Sequence, residues 1–282
     1  MNRSAGTPTA RIAATAAVLV VGLTMLLPFL WMVSASFKRL GDVIKFPVEW
    51  IPSYWYPDNY RHIFTMKNSV WLMYWNSIKV TTINVAGSLL ISSLAAYAYA
   101  KMRFWGRDAL FLVVLATLMI PTQAIFVPKF VLFTWMNRLI PMINHHNALI
   151  FPGLFAALGL FLLRQFFSEV PNEIMEAAVI DGAGHLSIWS RVMMPIARPG
   201  VASYVILVFT FHWNDYESPL IFIRNPALAT IPLGLSLFRD DNGMAYHYIM
   251  ALSTVAILPV FAAFLLGQKQ FIRGLTAGAV KG

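Results

Sequence analysis

The chain contains no cysteine and little charge. Without cysteine there is no disulfide framework, no thiolate metal site and no cysteine nucleophile. Charged residues make up 12% of 282 positions, against about 25% in a soluble domain. Acidic residues are scarcer than basic ones, 12 against 21. The resulting charge of +9 is scattered along the chain and forms no basic stripe, so it does not mark a nucleic-acid binder. No Gly-Lys dipeptide occurs, which removes a Walker-type nucleotide site. No His-Glu-x-x-His occurs either, and the adjacent pair His145-His146 cannot share one helix face. Neither an internal repeat nor a low-complexity tract is present. No catalytic residue and no metal site is assigned.

What the chain has instead is apolar length. It is 59% hydrophobic, with a mean hydropathy of +0.66. Uncharged runs lie between Arg11 and Lys38, Lys79 and Lys101, Asp108 and Lys129, Arg138 and Arg164, Arg198 and Asp215, and Asp241 and Lys269. A helix needs about 20 apolar residues to cross about 30 Å of hydrocarbon. Five runs meet that length, whereas the one after Arg198 encloses only sixteen residues. That fifth crossing must carry Asp215 and Glu217 near its outer end or continue through Pro219 to Ile223. The expected fold is all-α and integral to the membrane, with six crossings over about 12–36, 77–100, 109–132, 143–164, 199–223 and 246–268. The first run could serve as a signal peptide, with Ser34-Ala-Ser36 as its cleavage site. Its length exceeds the about 7–15 residues of a signal core, which favours an uncleaved span.

Six crossings put both termini on one face. The short loop Lys101-Met-Arg-Phe-Trp-Gly-Arg107 carries three cations and marks that face as cytoplasmic. Arg3, Arg11, Lys269, Arg273 and Lys281 agree, and residues 1–10 form a cytoplasmic tail. The long first outer loop is aromatic, with Trp50, Tyr54, Trp55, Tyr56, Tyr60, Trp71, Tyr74 and Trp75. An interfacial belt accounts for these rings, and a platform for an external protein remains a sharper alternative.

Between the fourth and fifth crossings lies a polar island, residues 171–195. Asn172 is placed to cap a helix entered at Pro171, with Glu173 and Glu176 in its first turns, where the helix dipole favours anions. Ala177 and Ala178 keep that helix thin. Asp181-Gly182 and Gly184 make a turn, because glycine tolerates positive φ. Leu186, Trp189, Val192 and Met193 then give an apolar stripe, closed by Pro195 and Pro199. A helix lying on an anionic membrane surface is rich in Lys and Arg. Here Glu169, Glu173, Glu176 and Asp181 are acidic, so a basic protein groove fits better.

The run Glu176-Ala177-Ala178-Val-Ile-Asp181-Gly182-Ala183, followed by Met194-Pro195, resembles the inner-face signature of the membrane subunits of binding-protein-dependent ABC importers, in the maltose-type, sugar-importing group. Ala95-Ala-Tyr-Ala-Tyr-Ala-Lys-Met-Arg-Phe104, Met119-Ile-Pro121, Trp213-Asn-Asp215 and Thr230-Ile-Pro-Leu-Gly234 are similar to other stretches of that family. The resemblance implies a non-enzymatic permease in the bacterial cytoplasmic membrane. Glu176, Ala177, Ala178, Asp181, Gly182, Ala183, Gly184 and Pro195 would form its coupling region, docked on an ATP-binding subunit. It further implies a second, homologous permease chain, two ATP-binding subunits that use ATP and Mg, an extracytoplasmic solute-binding protein, membrane lipid and a carbohydrate substrate. The loop with Leu233, Gly234 and Leu235 would reach the binding protein, although packing explains the same pattern.

Asn84, Ser88 and Ser92 recur every four residues on the second crossing. Interhelical packing explains them better than a substrate track, though Asn84 and Ser88 are retained as path candidates. Asn214, Asp215 and Glu217 are the stronger path candidates, since charges at membrane depth face water or protein. Solvation at the outer mouth is the competing reading. A stand-alone ion-coupled transporter is the rival function. It requires coupling carboxylates deeper than Asp215 and leaves the acidic island without a role.

Overall fold

The computed structural model describes residues 8–240 and 243–279. Arg3, Lys281 and most of the expected tail lie outside the described residues. Sixteen helices follow in order: α1 (Pro8–Ser36), α2 (Leu40–Val43), α3 (Asp58–Thr65), α4 (Val70–Lys101), α5 (Arg107–Ala116), α6 (Phe126–Met136), α7 (Asn147–Ile150), α8 (Ala157–Glu169), α9 (Asn172–Ile180), α10 (His185–Ile188), α11 (Met194–Ile196), α12 (Arg198–Trp213), α13 (Glu217–Phe222), α14 (Ile231–Leu235), α15 (Tyr246–Ala256) and α16 (Leu258–Ala279). Among the described residues the only extended pairing joins Arg239–Asp240 to Gly243–Met244.

Four stretches are long and apolar enough to cross a membrane: Thr9–Ser36, Val70–Lys101, Asn147–Glu169 and Tyr246–Gln268. Two more qualify only as bent pairs. Arg107–Met119 meets Thr122–Met136 at 95°, and His185–Ile196 meets Arg198–Phe222 at 85°. The third expected crossing is therefore not one helix. Pro121 has no N–H to give and pushes Ile120 into extended backbone, with ψ 117, so the helical ladder stops there. The fifth run divides at 214–216 into α12 and α13.

The chain separates into two compact units, residues 1–69 with 238–257 and residues 70–237 with 258–282. In the first unit the apolar window of α1 is wholly uncovered, as a lipid- or partner-facing helix is. Its end is held by a buried side chain. Asn59 Nδ2 donates to Ser36 O at 2.8 Å and to Lys38 O at 2.7 Å. The Lys38 ammonium sits 4.2 Å from the Trp31 ring centre and donates to Glu49 O. Arg39 lies near the rings of both Tyr54 and Tyr56. Trp50, Tyr54 and Trp55 stay exposed, as the belt and platform readings both require.

In the second unit α4 packs along α8 and α12, and α12 packs on α16. A polar stripe on α4 (Ser77, Thr81, Asn84, Ser88 and Ser92) is buried, with Asn84, Ser88 and Ser92 at this seam. Small and hydroxylated side chains let helices approach closely and bond across the gap. Ser88 Oγ and Tyr204 Oη lie 2.5 Å apart, and Tyr204 donates on to Ser92 Oγ at 3.3 Å. Opposite them on α8 is Gly159, where a Cβ would overlap the Tyr204 ring. Tyr204 is itself only 1% exposed and cannot swing aside. Gly159→Ala should therefore cost about 1–3 kcal/mol by overpacking. A thermal unfolding midpoint in detergent lower than that of the unaltered chain is the expected reading, and an unchanged midpoint would contradict the seam.

Candidate functional site

The island is built on a helix with a defined stop. α9 ends at Ile180, and Gly182 adopts φ +81. Ala183 N donates to Ala178 O and Gly182 N to Val179 O, both at 2.9 Å. This is the paired 6→1 and 5→2 pattern of a glycine-terminated helix. The left-handed φ explains why glycine stands at 182. Gly184, by contrast, has ordinary backbone and open space around it.

Two expected details are corrected. Asn172 is the first helical residue and caps nothing; its Oδ1 accepts from Lys101 Nζ at 2.9 Å. The second helix is not one regular α-helix either, because Trp189–Met193 forms a π turn between α10 and α11. The wider turn rotates the buried face. Ile188, Met193 and Ala197 are buried, with Trp189 and Val192 partly so, whereas Leu186 is 71% exposed. The 85° bend into α12 follows at Ala197, just ahead of Pro199.

The site residues divide cleanly by exposure. Met175 is buried, and Ala178 and Ala183 pack on a core that includes Ala96, Tyr97, Ala100 and Met102 near the end of α4. Glu176, Ala177, Asp181, Gly182, Gly184 and Pro195 are exposed. Among the described residues neither Glu176 nor Asp181 has an ion-pair partner. Beside them Val179, Ile180 and Leu186 are exposed by 54%, 85% and 71%. Uncovered aliphatic side chains here lie among unpaired carboxylates.

Polar bonds from α4 hold the island on both sides of α9. Lys101 Nζ donates to Val170 O at 2.5 Å, just ahead of α9. Tyr97 Oη and His185 Nδ1 are 3.0 Å apart, just after the glycine turn. Neither contact is visible in the sequence, where Lys101 reads as a loop cation.

The path candidates fall into two groups. Asn84 and Ser88 are fully buried. Asn84 Nδ2 donates to Leu149 O at 3.1 Å and lies 3.2 Å from His212 Nδ1, so both residues turn towards α8 and α12 or the segment before α8. Asn214 and Glu217 are exposed and Asp215 is half-buried. Asp215 Oδ1 accepts from Ser218 N at 3.1 Å and so caps α13. Gln123 Nε2, just past the bend at Pro121, reaches the Glu217 carboxylate at 3.3 Å. Sequence spacing gave no hint of that pair, because 94 residues separate its members.

Leu233 and Gly234 are buried and Leu235 half-buried, whereas Leu237 is 44% exposed. Gly234 lies against Met73 of α4 so closely that a Cβ would overlap the sulfur. No group of three or more potential metal ligands occurs among the described residues.

Residues 88–276 match the family described as the binding-protein-dependent transport system inner membrane component. The arabinooligosaccharides transport system permease protein AraQ of Halalkalibacterium halodurans is 34% identical over 257 residues, covering 90% of this chain and 91% of that one. The lactose transport system permease protein LacG of Rhizobium radiobacter is 31% identical, with 90% of each chain covered. A solved bacterial ABC transporter involved in import of the acidic polysaccharide alginate matches with a TM-score of 0.81 at 22% identity, over 94% of this chain and 98% of that one. The chain belongs to the inner membrane components of binding-protein-dependent transport systems, and is a permease subunit of such an importer rather than an enzyme.

Proposed function

We propose that this chain forms half of the membrane pathway of an ATP-driven importer for an oligosaccharide or related polyol, and that residues 171–195 are its coupling region. The observation that carries this reading is the island itself, with Glu176 and Asp181 unpaired beside Val179, Ile180 and Leu186. A basic groove on an ATP-binding subunit supplies what that surface lacks. The carbohydrate class follows from relatives named for arabinooligosaccharides and lactose transport.

In this reading the chain crosses the membrane six times, with both bent pairs counted as crossings, the island inside and both termini inside. A second homologous permease completes the pathway. Two ATP-binding subunits use ATP and Mg, and an external solute-binding protein delivers the saccharide near Leu233–Leu237. Asn214 and Glu217, the latter bonded by Gln123, present polar groups to the path. Asp215 shapes the turn beneath them, and Asn84 and Ser88 fix the helices behind. The island moves as a rigid body because its core face is packed and both flanks of α9 are pinned, so a shift of the ATP-binding subunits is passed into the crossings.

Two substitutions separate charge from shape. Reversing one member of a desolvated charge pair costs about 2–5 kcal/mol, so Glu176→Lys should weaken ATPase-subunit binding at least roughly 30-fold while the protein still inserts. Co-purification with a tagged ATP-binding subunit reads this out, and full retention would remove the docking claim. Gly182→Val strains the left-handed turn by about 1–2 kcal/mol. Faster amide exchange over residues 178–183, with uptake reduced more than ATPase activity, is the expected result. Normal exchange and normal uptake would contradict it.

A further inference from the structure

α4 runs without proline or interruption from Val70 to Lys101, and it grips a different non-membrane segment at each end. At one end Asn76 Nδ2 donates to Ala227 O and to Ala229 O, each at 2.9 Å. Ser77 Oγ accepts from Ile231 N at 2.8 Å, and Met73 packs on Gly234. At the other end Lys101 and Tyr97 hold the island just ahead of α9 and just after its glycine turn. From Asn76 to Lys101 is 25 residues, or about 37 Å of helix, which exceeds the about 30 Å of hydrocarbon. The 226–235 segment and the island therefore lie at opposite membrane faces, joined by one helix.

The grips are specific in kind. Each places side-chain polar groups of α4 on main-chain or side-chain groups of a segment outside its own bundle of crossings. Asn76 and Lys101 bind backbone carbonyls that no regular ladder satisfies, and an unbonded buried carbonyl costs far more than a typical bond gains. Neither segment can slide along α4 without breaking these bonds. Other links to residues 226–235 exist: the His146 ring, just ahead of the crossing that enters the island, lies 2.8 Å from Leu228 O, and α12 continues through α13 into the segment. Asn225 Oδ1 accepts from Ala227 N, and Asn144 Oδ1 accepts from both Arg224 N and Asn225 N.

We propose that α4 is the transmission element between the segment at 226–235 and the island, with Asn76 and Lys101 as its positioning residues. The inference rests on the island being the ATPase dock. It adds that the outer segment senses the nucleotide state through α4, and not only through the crossings continuous with the island. Transport reports to the ATPase, and the ATPase to the outer face, by the same rod.

The cysteine-free sequence makes the test direct. Leu237→Cys carries an environment-sensitive fluorophore in a complex with ATP-binding subunits whose reactive cysteines have been replaced, in lipid nanodiscs. Mg-ATP with vanadate is the probe. The emission of the labelled chain should shift on trapping. In Lys101→Ala and in Asn76→Leu the shift should fall at least several-fold while vanadate still traps nucleotide. Lys101→Arg should keep it. The double variant should lose no more than either single variant, because both act through one element. Asn76→Leu can fail to fold, so Lys101→Ala, at the membrane surface, decides the matter. A shift that persists in Lys101→Ala with nucleotide trapped, or losses that simply add, would overturn the inference alone. Failure of the ATP-binding subunits to associate with the unaltered chain would overturn the docking reading together with it.

Discussion

A chain this apolar has one recurrent problem, the polar backbone of every segment that is not regular helix. In hydrocarbon an unbonded N–H or C=O costs several kcal/mol. Here asparagine solves it repeatedly. Asn76 takes the carbonyls of Ala227 and Ala229, and Asn84 that of Leu149. Asn137 accepts from Met142 N and Ile143 N, and Asn144, itself at φ 59, accepts from Arg224 N and Asn225 N. These side chains let helices break at 137–146 and 214–230 without exposing bare peptide groups. The polar ends of the permease, and not only its crossings, are thereby specified.

Polar side-chain bonds also hold the short acidic helix α9 in place. α9 is nine residues long and contributes one buried side chain, Met175. Alone it would fray, since isolated helices shorter than about 12 residues are marginal in water. The glycine-terminated turn closes one end, Lys101 and Tyr97 pin the two sides, and Ala178 and Ala183 allow close approach to the end of α4. What is left uncovered is the set that a basic, partly apolar groove would need.

Much of this was legible in the residues. Charge-free windows marked every membrane-length stretch, and Asp181-Gly182 between apolar runs announced the turn that φ +81 realises. The packing reading of Asn84, Ser88 and Ser92 matches a buried seam. Other features were hidden for physical reasons. Pro121 is a visible breaker, but a 95° bend depends on which surfaces the two halves find. A π turn leaves composition unchanged, and of the apolar stripe Trp189, Val192 and Met193 face the core whereas Leu186 does not. Lys101 counted as a topology signal and hid its second use as a clamp. The Gln123–Glu217 and Asn76–Ala229 contacts join distant segments, and one sequence carries no record of such pairings. The pattern at Leu233 and Gly234 allows either packing or an outward reach, and the close fit of Gly234 on Met73 turns them inward.

The central claim is that the island and α4 are one rigid piece. Spin labels at Ile180→Cys on the exposed tip of α9 and Ile91→Cys on α4 measure it directly, by pulsed dipolar spectroscopy on the complex with its ATP-binding subunits. A single narrow distance, the same without nucleotide and in the trapped state, is the predicted result. A distance that broadens, or moves by more than one helical turn (about 5 Å) between the states, would contradict it.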